Sequence, residues 1–409
     1  LKADIWDRKC KTALNSVQVF QGTLGICGYV IKKTRNEEIF VLMNNSPHEL
    51  PLRNKRVIDL KTKKVRPRTR TDLFSFELTV DYDSAKEHDF SDVDRFFSGI
   101  CCEDEDYVVY LRRVLGYFMT REISERSLYV MWGGGCNGKS VLANLCKGIL
   151  GPFSAALAEK VLLSQEKSGS AHSAELMPLI YARLGILSES GKQETMNAKR
   201  IKRLTGDDEM AARPPYGKEM INFINKSKLL MLTNWLPNVD VSDEAFVLDR
   251  LKLLPMLARF EKNPANNTFV NTTLKTPANQ DALFARLVQG AFEFYRDGTV
   301  GDIPAVCADA MKKYLAEMDT VSRFIADQCE KGDSFHVSPS DFNEHYTDFC
   351  TEQDERSLRP REVKKRMIQL GFKEPFRATA KDAKRNKKMK NRKRYWRGIR
   401  INADSFTSI

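Results

Sequence analysis

The residues with the clearest chemical purpose are Gly133, Gly134, Gly135, Cys136, Asn137, Gly138, Lys139 and Ser140, the run "GGGCNGKS". Their spacing fits G-x-x-x-x-G-K-[ST], the loop that holds nucleotide phosphates. Glycines let backbone N–H groups close around an anion, and a helix that starts at the loop offers its positive end. Lys139 can reach the β- and γ-phosphates, and the Ser140 hydroxyl can ligate Mg²⁺. Cys136 reads either as a small residue or as a thiol whose oxidation blocks the loop.

A phosphate loop needs a strand before it and a helix after it. "SLYVMW" (Ser127 to Trp132) is an apolar strand that runs into the glycines, and "KSVLANLCKGIL" is a helix that ends near Gly151-Pro152. Hydrolysis also needs an acid at the end of a second strand. "ARLGILSES" supplies one, with Leu184 to Leu187 as the strand and Glu189 after it, where a carboxylate can orient or deprotonate water. The alternative is an ordinary strand-end Glu. "KLLMLTNWLP" is a third strand ending at Asn234, either a sensor of the γ-phosphate or a turn residue. "FVLDRLKLLP" puts Arg250 at the start of a fourth strand, where it can be an arginine finger for a neighbouring subunit's nucleotide or a surface ion-pair residue. Arg259 is its rival.

Between Glu189 and Asn234, Lys199, Arg200, Lys202 and Arg203 lie on a basic helix. "EMAAR" and "EMINFIN" follow as strands joined across "PPYGK", which is turn chemistry. Arg213, Tyr216 and Lys218 at such a tip can offer charge to phosphates and a ring to a base. A structural hairpin with a basic tip is the competing reading.

The 409 residues carry a formal net charge of +12, which favours a polyanionic partner. Length predicts two to four domains. Hydrophobic content is 42%, and no apolar run is long enough to cross a bilayer. The nine cysteines are scattered with no C-x-x-C pair, which suits reduced thiols and no zinc site. The first residue, Leu1, suggests a piece cut from a longer chain. "GICGYVI" and "EEIFVLMNN" predict early strands, and Lys61 to Arg70 is a basic turn or a nucleic-acid contact. "SDVDRFF", with Ser91 as N-cap, and "YVVYLRRVLGYFM" predict helices. After residue 305, "VSRFIADQC", "SPSDFNEHYTDFC" and "PREVKKRMIQLGF" predict three helices. A basic run, Lys381 to Arg394, and the strand "YWRGIRI" follow, the order of a winged helix. That basic stretch can bind duplex phosphates or be a solvated wing.

The order of phosphate loop, "ILSE", "KRLTGDDEMAAR", "LLMLTN" and "DRLKLLP" resembles superfamily 3 helicases of the AAA+ class, in particular the poxvirus-type primase-helicases of large DNA viruses. The resemblance implies an α/β fold with a P-loop ATPase core over 127–304. A β-rich connector over 1–90 and a collar-like helical segment over 91–126 would precede it, and a basic winged-helix-like domain over 305–409 would follow. It implies a homo-hexameric ring with ATP and Mg²⁺ at subunit interfaces, acting on single-stranded and forked DNA. An upstream primase and other replication proteins would be its partners, in the host cytoplasm and with no membrane. Lys139 and Ser140 would bind phosphate and metal, Glu189 would be the catalytic acid with a share in the Mg²⁺, and Asn234 the sensor. Arg250 would be the trans finger and residues 205–225 the channel hairpin. Family members often carry two adjacent acids where this chain has Ser188-Glu189, so the division between metal holding and water activation stays open. A DNA-packaging or remodelling ATPase and a non-catalytic DNA-binding scaffold are the competing functions.

Overall fold

The computed structural model describes residues 43–83, 87–163, 173–188, 194–213, 220–241, 243–385, 389–390 and 392–402. The expected strand "GICGYVI", most of "EEIFVLMNN", the acid Glu189 and the hairpin-tip residues Tyr216 and Lys218 lie outside the described residues.

Five parallel strands form the central sheet: β4 (Leu128–Trp132), β5 (Ser154–Leu157), β6 (Leu184–Ser188), β9 (Lys228–Thr233) and β10 (Leu251–Pro255). Their spatial order is β10-β4-β9-β6-β5, so the strand leading to the phosphate loop lies between the last two strands in sequence. Parallel strands need both faces covered, and consecutive side chains point to opposite faces. The sequence obeys this. Tyr129 and Met131 enter one apolar core, while Leu128 and Val130 enter another on the opposite side. The strand β5 was not evident in sequence, because "SAAL" offers only Ala155 and Leu157 to the core.

One core holds the antiparallel strands β1 (Glu49–Leu52), β2 (Arg56–Asp59) and β3 (Val65–Pro67) against several helices. These are α1 (Ser91–Ile100), α2 (Glu105–Phe118), α3 (Lys139–Leu150) and α7 (Pro277–Asp297). Helices α2 and α7 cross where Gly116 meets Gly290. A Cβ at Gly116 would stand 2.2 Å from the Ala291 nitrogen, and one at Gly290 would stand 2.3 Å from the Arg112 carbonyl oxygen. Ser91 is the first residue of α1 and not its cap; Asp89 Oδ1 accepts from the Ser91 N–H at 2.9 Å.

The basic run Lys61 to Arg70 is largely engaged inside the chain. Lys63 Nζ lies 4.1 Å from the Phe292 ring and donates to Gln289 Oε1 at 2.9 Å. Arg66 pairs with Glu49 and Asp72 at 2.7 and 2.8 Å. Arg68 donates to the Phe74 carbonyl.

Three buried cations sit near the starts of the strands. Arg183 is fully buried and donates to the carbonyls of Met119, Ser46 and Glu49. Arg121 donates to those of Ile180 and Ala182 at 3.1 and 3.2 Å. Lys228 donates to Thr120 and Glu122 carbonyls. Carbonyls left exposed after the end of α2 suit cations. Burial pushes the Arg183 guanidinium down to about 9 and the Lys228 ammonium well below its ordinary range.

The second core takes in α8 (Ala305–Met318), through Tyr314 and its neighbours Met311 and Leu315. A separate core begins at Val321. It joins α9 (Thr320–Gln328), α10 (Pro339–Glu352) and α11 (Pro360–Gln369) to strands β11 (Cys329–Val337) and β13 (Arg394–Ile401), while β12 (Phe376–Arg377) packs in a smaller cluster with Ala378, Met389 and Tyr395. These strands form an antiparallel sheet in the order β11-β13-β12. Sequence predicted the three helices and the last strand but missed β11 between the first two helices. Its residues, "CEKGDSFHV", lack the apolar alternation that marks a half-buried strand, and pairing with β13 forms it instead.

Candidate nucleotide site

The phosphate loop leaves β4 at its carboxyl end, and α3 begins at Lys139. Gly133 is required by crowding: a Cβ there would lie 2.2 Å from Asn137 Nδ2 and 2.3 Å from the Met256 carbonyl oxygen. Gly138 has φ of 85°, the left-handed region that favours glycine. Positions 134 and 135 face open space, with no atom within 4 Å of a Cβ built on either. Asn137 is buried and donates to the Met256 carbonyl at 3.1 Å, which ties the loop to the residue after β10. The N-cap of α3, Gly138, has no side chain to cap it; Asn137 Oδ1 accepts from the Lys139 N–H at 3.4 Å, and the N–H groups that follow suit an anion.

Lys139 is 5% exposed, and its ammonium donates to the Gly133 carbonyl at 2.6 Å, Asn137 Oδ1 at 3.3 Å and Asn234 Oδ1 at 3.0 Å. The structure thus brings together the loop lysine and the expected sensor at the end of β9. A cavity of about 540 Å³ opens over them, lined by Gly135 to Ser140 and by Glu159, Ser188, Thr233 and Asn234. Ser188 ends β6 on its wall, immediately before Glu189. Glu159 was missed in sequence. It starts a short turn after β5, and the failure to recognise that strand hid it. Ser140 and Glu159 give the cavity hydroxyl and carboxylate oxygens, the donors that suit Mg²⁺.

A second cavity of about 900 Å³ adjoins the first and shares Cys136, Gly138 and Val141 with it. Phe96, Phe260 and Phe269 line it together with the amides of Asn263 and Asn266. The Phe260 N–H donates to the Cys136 carbonyl at 2.8 Å, so this wall is fixed to the loop. Sequence gave no sign of it, because its walls come from α1 and from residues after β10.

Arg250 is the last residue of a helix, α5 (Glu244–Arg250), and not the start of a strand; β10 begins one residue later. Asp243 caps that helix by accepting from the Phe246 N–H at 3.2 Å. Leu251 of β10 lies opposite Leu128 and Pro255 opposite Trp132, so Arg250 is at the far end of the sheet from the phosphate loop. The rival Arg259 is exposed. The hairpin is present as β7 (Glu209–Ala212) and β8 (Ile221–Ile224), antiparallel, with Met210, Ala212 and Phe223 in the core and Arg213 exposed. The basic helix before it is α4 (Ala198–Thr205).

No family model matches the chain. A provisionally named helicase of Acanthamoeba polyphaga mimivirus is 28% identical over 245 residues, which cover 56% of this chain and 25% of that protein. A provisionally named helicase of Frog virus 3 is 28% identical over 198 residues, 46% of this chain and 19% of the relative. A provisionally named primase of African swine fever virus is 25% identical over 219 residues, 50% and 22%. The chain spans a quarter or less of the length of these relatives. Among solved structures, the NrS-1 C-terminal region aligns over 80% of both chains at 12% identity and a TM-score of 0.44. Over about half its length, this chain is similar to proteins of large DNA viruses named as helicases and as a primase.

Proposed function

We propose that the chain is an ATP-driven DNA helicase of viral genome replication, working as a hexameric ring that moves on single-stranded DNA in the host cytoplasm. The observation that supports it best is the Lys139 ammonium held between Gly133 O and Asn234 Oδ1 at the mouth of the cavity. That geometry links the loop that would hold ATP to the residue that would report its γ-phosphate. With Oδ1 occupied by the lysine, the Asn234 amide nitrogen is the end that can donate to a phosphate oxygen. The triphosphate would take the Gly133–Ser140 loop, and the base would enter the cavity walled by Phe260 and Phe269.

Mg²⁺ would be held by Ser140 with help from Glu189 and neutralise charge on the phosphates. Glu189 would orient the attacking water, and Arg250 would serve the nucleotide of a neighbouring subunit. The Arg213 hairpin, with Tyr216 and Lys218, would grip one DNA strand. The unit built on α9, α10 and α11 would act as a winged helix and add DNA or partner contacts. An upstream primase would act with it.

The test is Lys139→Ala. ATP turnover and unwinding of a forked duplex should both disappear while circular dichroism stays unchanged. A variant that still hydrolyses ATP refutes the reading. ATP turnover by the parent protein without unwinding of the fork favours a packaging or remodelling motor instead.

A further inference from the structure

Arg250 has a partner in its own subunit at the place where the hairpin begins. Its Nη1 donates to Thr205 Oγ1 at 3.1 Å. Thr205 is buried, and its hydroxyl proton goes to the Ile201 carbonyl at 2.8 Å, so the oxygen is left as an acceptor for the arginine. Thr205 ends α4, and β7 starts four residues later. The other leg of the hairpin returns to the same place: Asn225 Nδ2 donates to the Leu204 carbonyl at 2.7 Å. Both legs therefore hang from the last turn of α4. That helix is also tied to the start of α5 by Lys202, which donates to both Asp243 oxygens at 2.7 and 2.8 Å. Helix α5 thus grips α4 at two points, and its last residue holds the root of the hairpin.

We propose that Thr205 is the joint between the ATP site of a neighbouring subunit and the DNA hairpin of this one. The proposal rests on the reading of Arg250 as a trans finger. A guanidinium has five N–H donors in a rigid fork, so one prong can stay on Thr205 while the other edge meets a phosphate across the interface. Any shift of Arg250 when that phosphate leaves is passed to the last turn of α4, and so to both hairpin legs. Linkage makes the effect reciprocal: a strand bound at the hairpin sets how Arg250 is presented. Thr205 is a positioning residue here, since it touches neither nucleotide nor DNA.

The experiment compares Thr205→Val, Thr205→Ala and Thr205→Ser in the full chain, reading ATP turnover with and without single-stranded DNA. Turnover without DNA should persist in all three. Stimulation by DNA should fall about tenfold in the Val and Ala variants and be retained in the Ser variant, which restores the hydroxyl. Wild-type stimulation in both Val and Ala variants overturns the proposal. Arg250→Ala is measured alongside. If it has lost turnover while Thr205→Val keeps full stimulation, only the joint fails. If Arg250→Ala keeps full turnover, the trans-finger reading fails and takes the joint with it.

Discussion

The Asn234 amide oxygen lies 3.0 Å from the Lys139 ammonium, although 95 residues separate them in sequence. The contact fixes both groups, and in the proposed ATP site it would supply the preorganisation that electrostatic catalysis requires. Asn234→Ala should lower kcat by about 10–100-fold with little change in KM, as expected for an interaction made in the transition state. Asn234→Asp keeps an oxygen for the lysine but removes the N–H donor. If it matches the Ala variant in steady-state kinetics, the donor matters; wild-type kcat in the Asp variant refutes that role.

Under the proposed function, Glu159 and Glu189 would divide the acid work in a way mutagenesis can separate. Glu189→Gln should bind nucleotide and fail to turn it over. Glu159→Gln should retain turnover but need more Mg²⁺, because the wall of the cavity loses one carboxylate. Titrating Mg²⁺ against ATP turnover checks this, and an unchanged Mg²⁺ requirement excludes Glu159 from metal holding.

The crossing of α2 and α7 has no room for a methyl group. Gly116→Ala should destabilise the chain by about 1–3 kcal/mol, since the Ala291 backbone must move. Thermal melts should show a lower Tm with nucleotide affinity intact in whatever remains folded.

The Arg66 cluster makes a prediction about acid. A hydrogen bond from Arg66 holds the Asp72 carboxyl at about 2, below its ordinary 3.8. A depressed carboxylate contributes stability that is full above its unfolded pKa and lost as pH falls through its folded one. Asp72→Asn should therefore cost about 1 kcal/mol near neutral pH, and the difference from wild type should shrink between pH 3.8 and 2. Urea titrations across that range measure it, and a pH-independent difference refutes the assignment.

Arg213 is exposed beside the hairpin tip. Arg213→Ala should weaken single-stranded DNA binding and reduce the salt slope by about 0.7, the value for one phosphate contact. Fluorescence anisotropy at several salt concentrations reads this directly, with nucleotide affinity as the control. An unchanged slope removes Arg213 from the DNA surface.

Much of the candidate site's framework is legible in sequence because its parts are local. The loop is contiguous, β4 is a short apolar run straight into it, and β6 and β9 are apolar runs that end in Ser188 and Thr233. What sequence hid depends on distant chain. Glu159 follows a four-residue strand, "SAAL", with a single large apolar side chain, and the aromatic cavity needs Phe96 and Phe260 to meet. The sequence reading starts the strand at Arg250, one residue early, because "FVLDRLKLLP" carries no punctuation where α5 passes into β10. Charge counts along Lys61–Arg70 do not show which cations are matched inside the chain, as Lys63, Arg66 and Arg68 are.

Arg183 carries a practical consequence for anyone cutting this protein into pieces. Its guanidinium is fully buried, with two of its acceptors, the carbonyls of Ser46 and Glu49, upstream of the first helix. A fragment trimmed to the helical segment at Ser91 would strand that cation in an apolar interior with two of its three carbonyl partners gone, a loss small cores do not survive. The shortest piece that folds should therefore begin before Ser46, and the strands ahead of the five-stranded parallel sheet are part of its foundation.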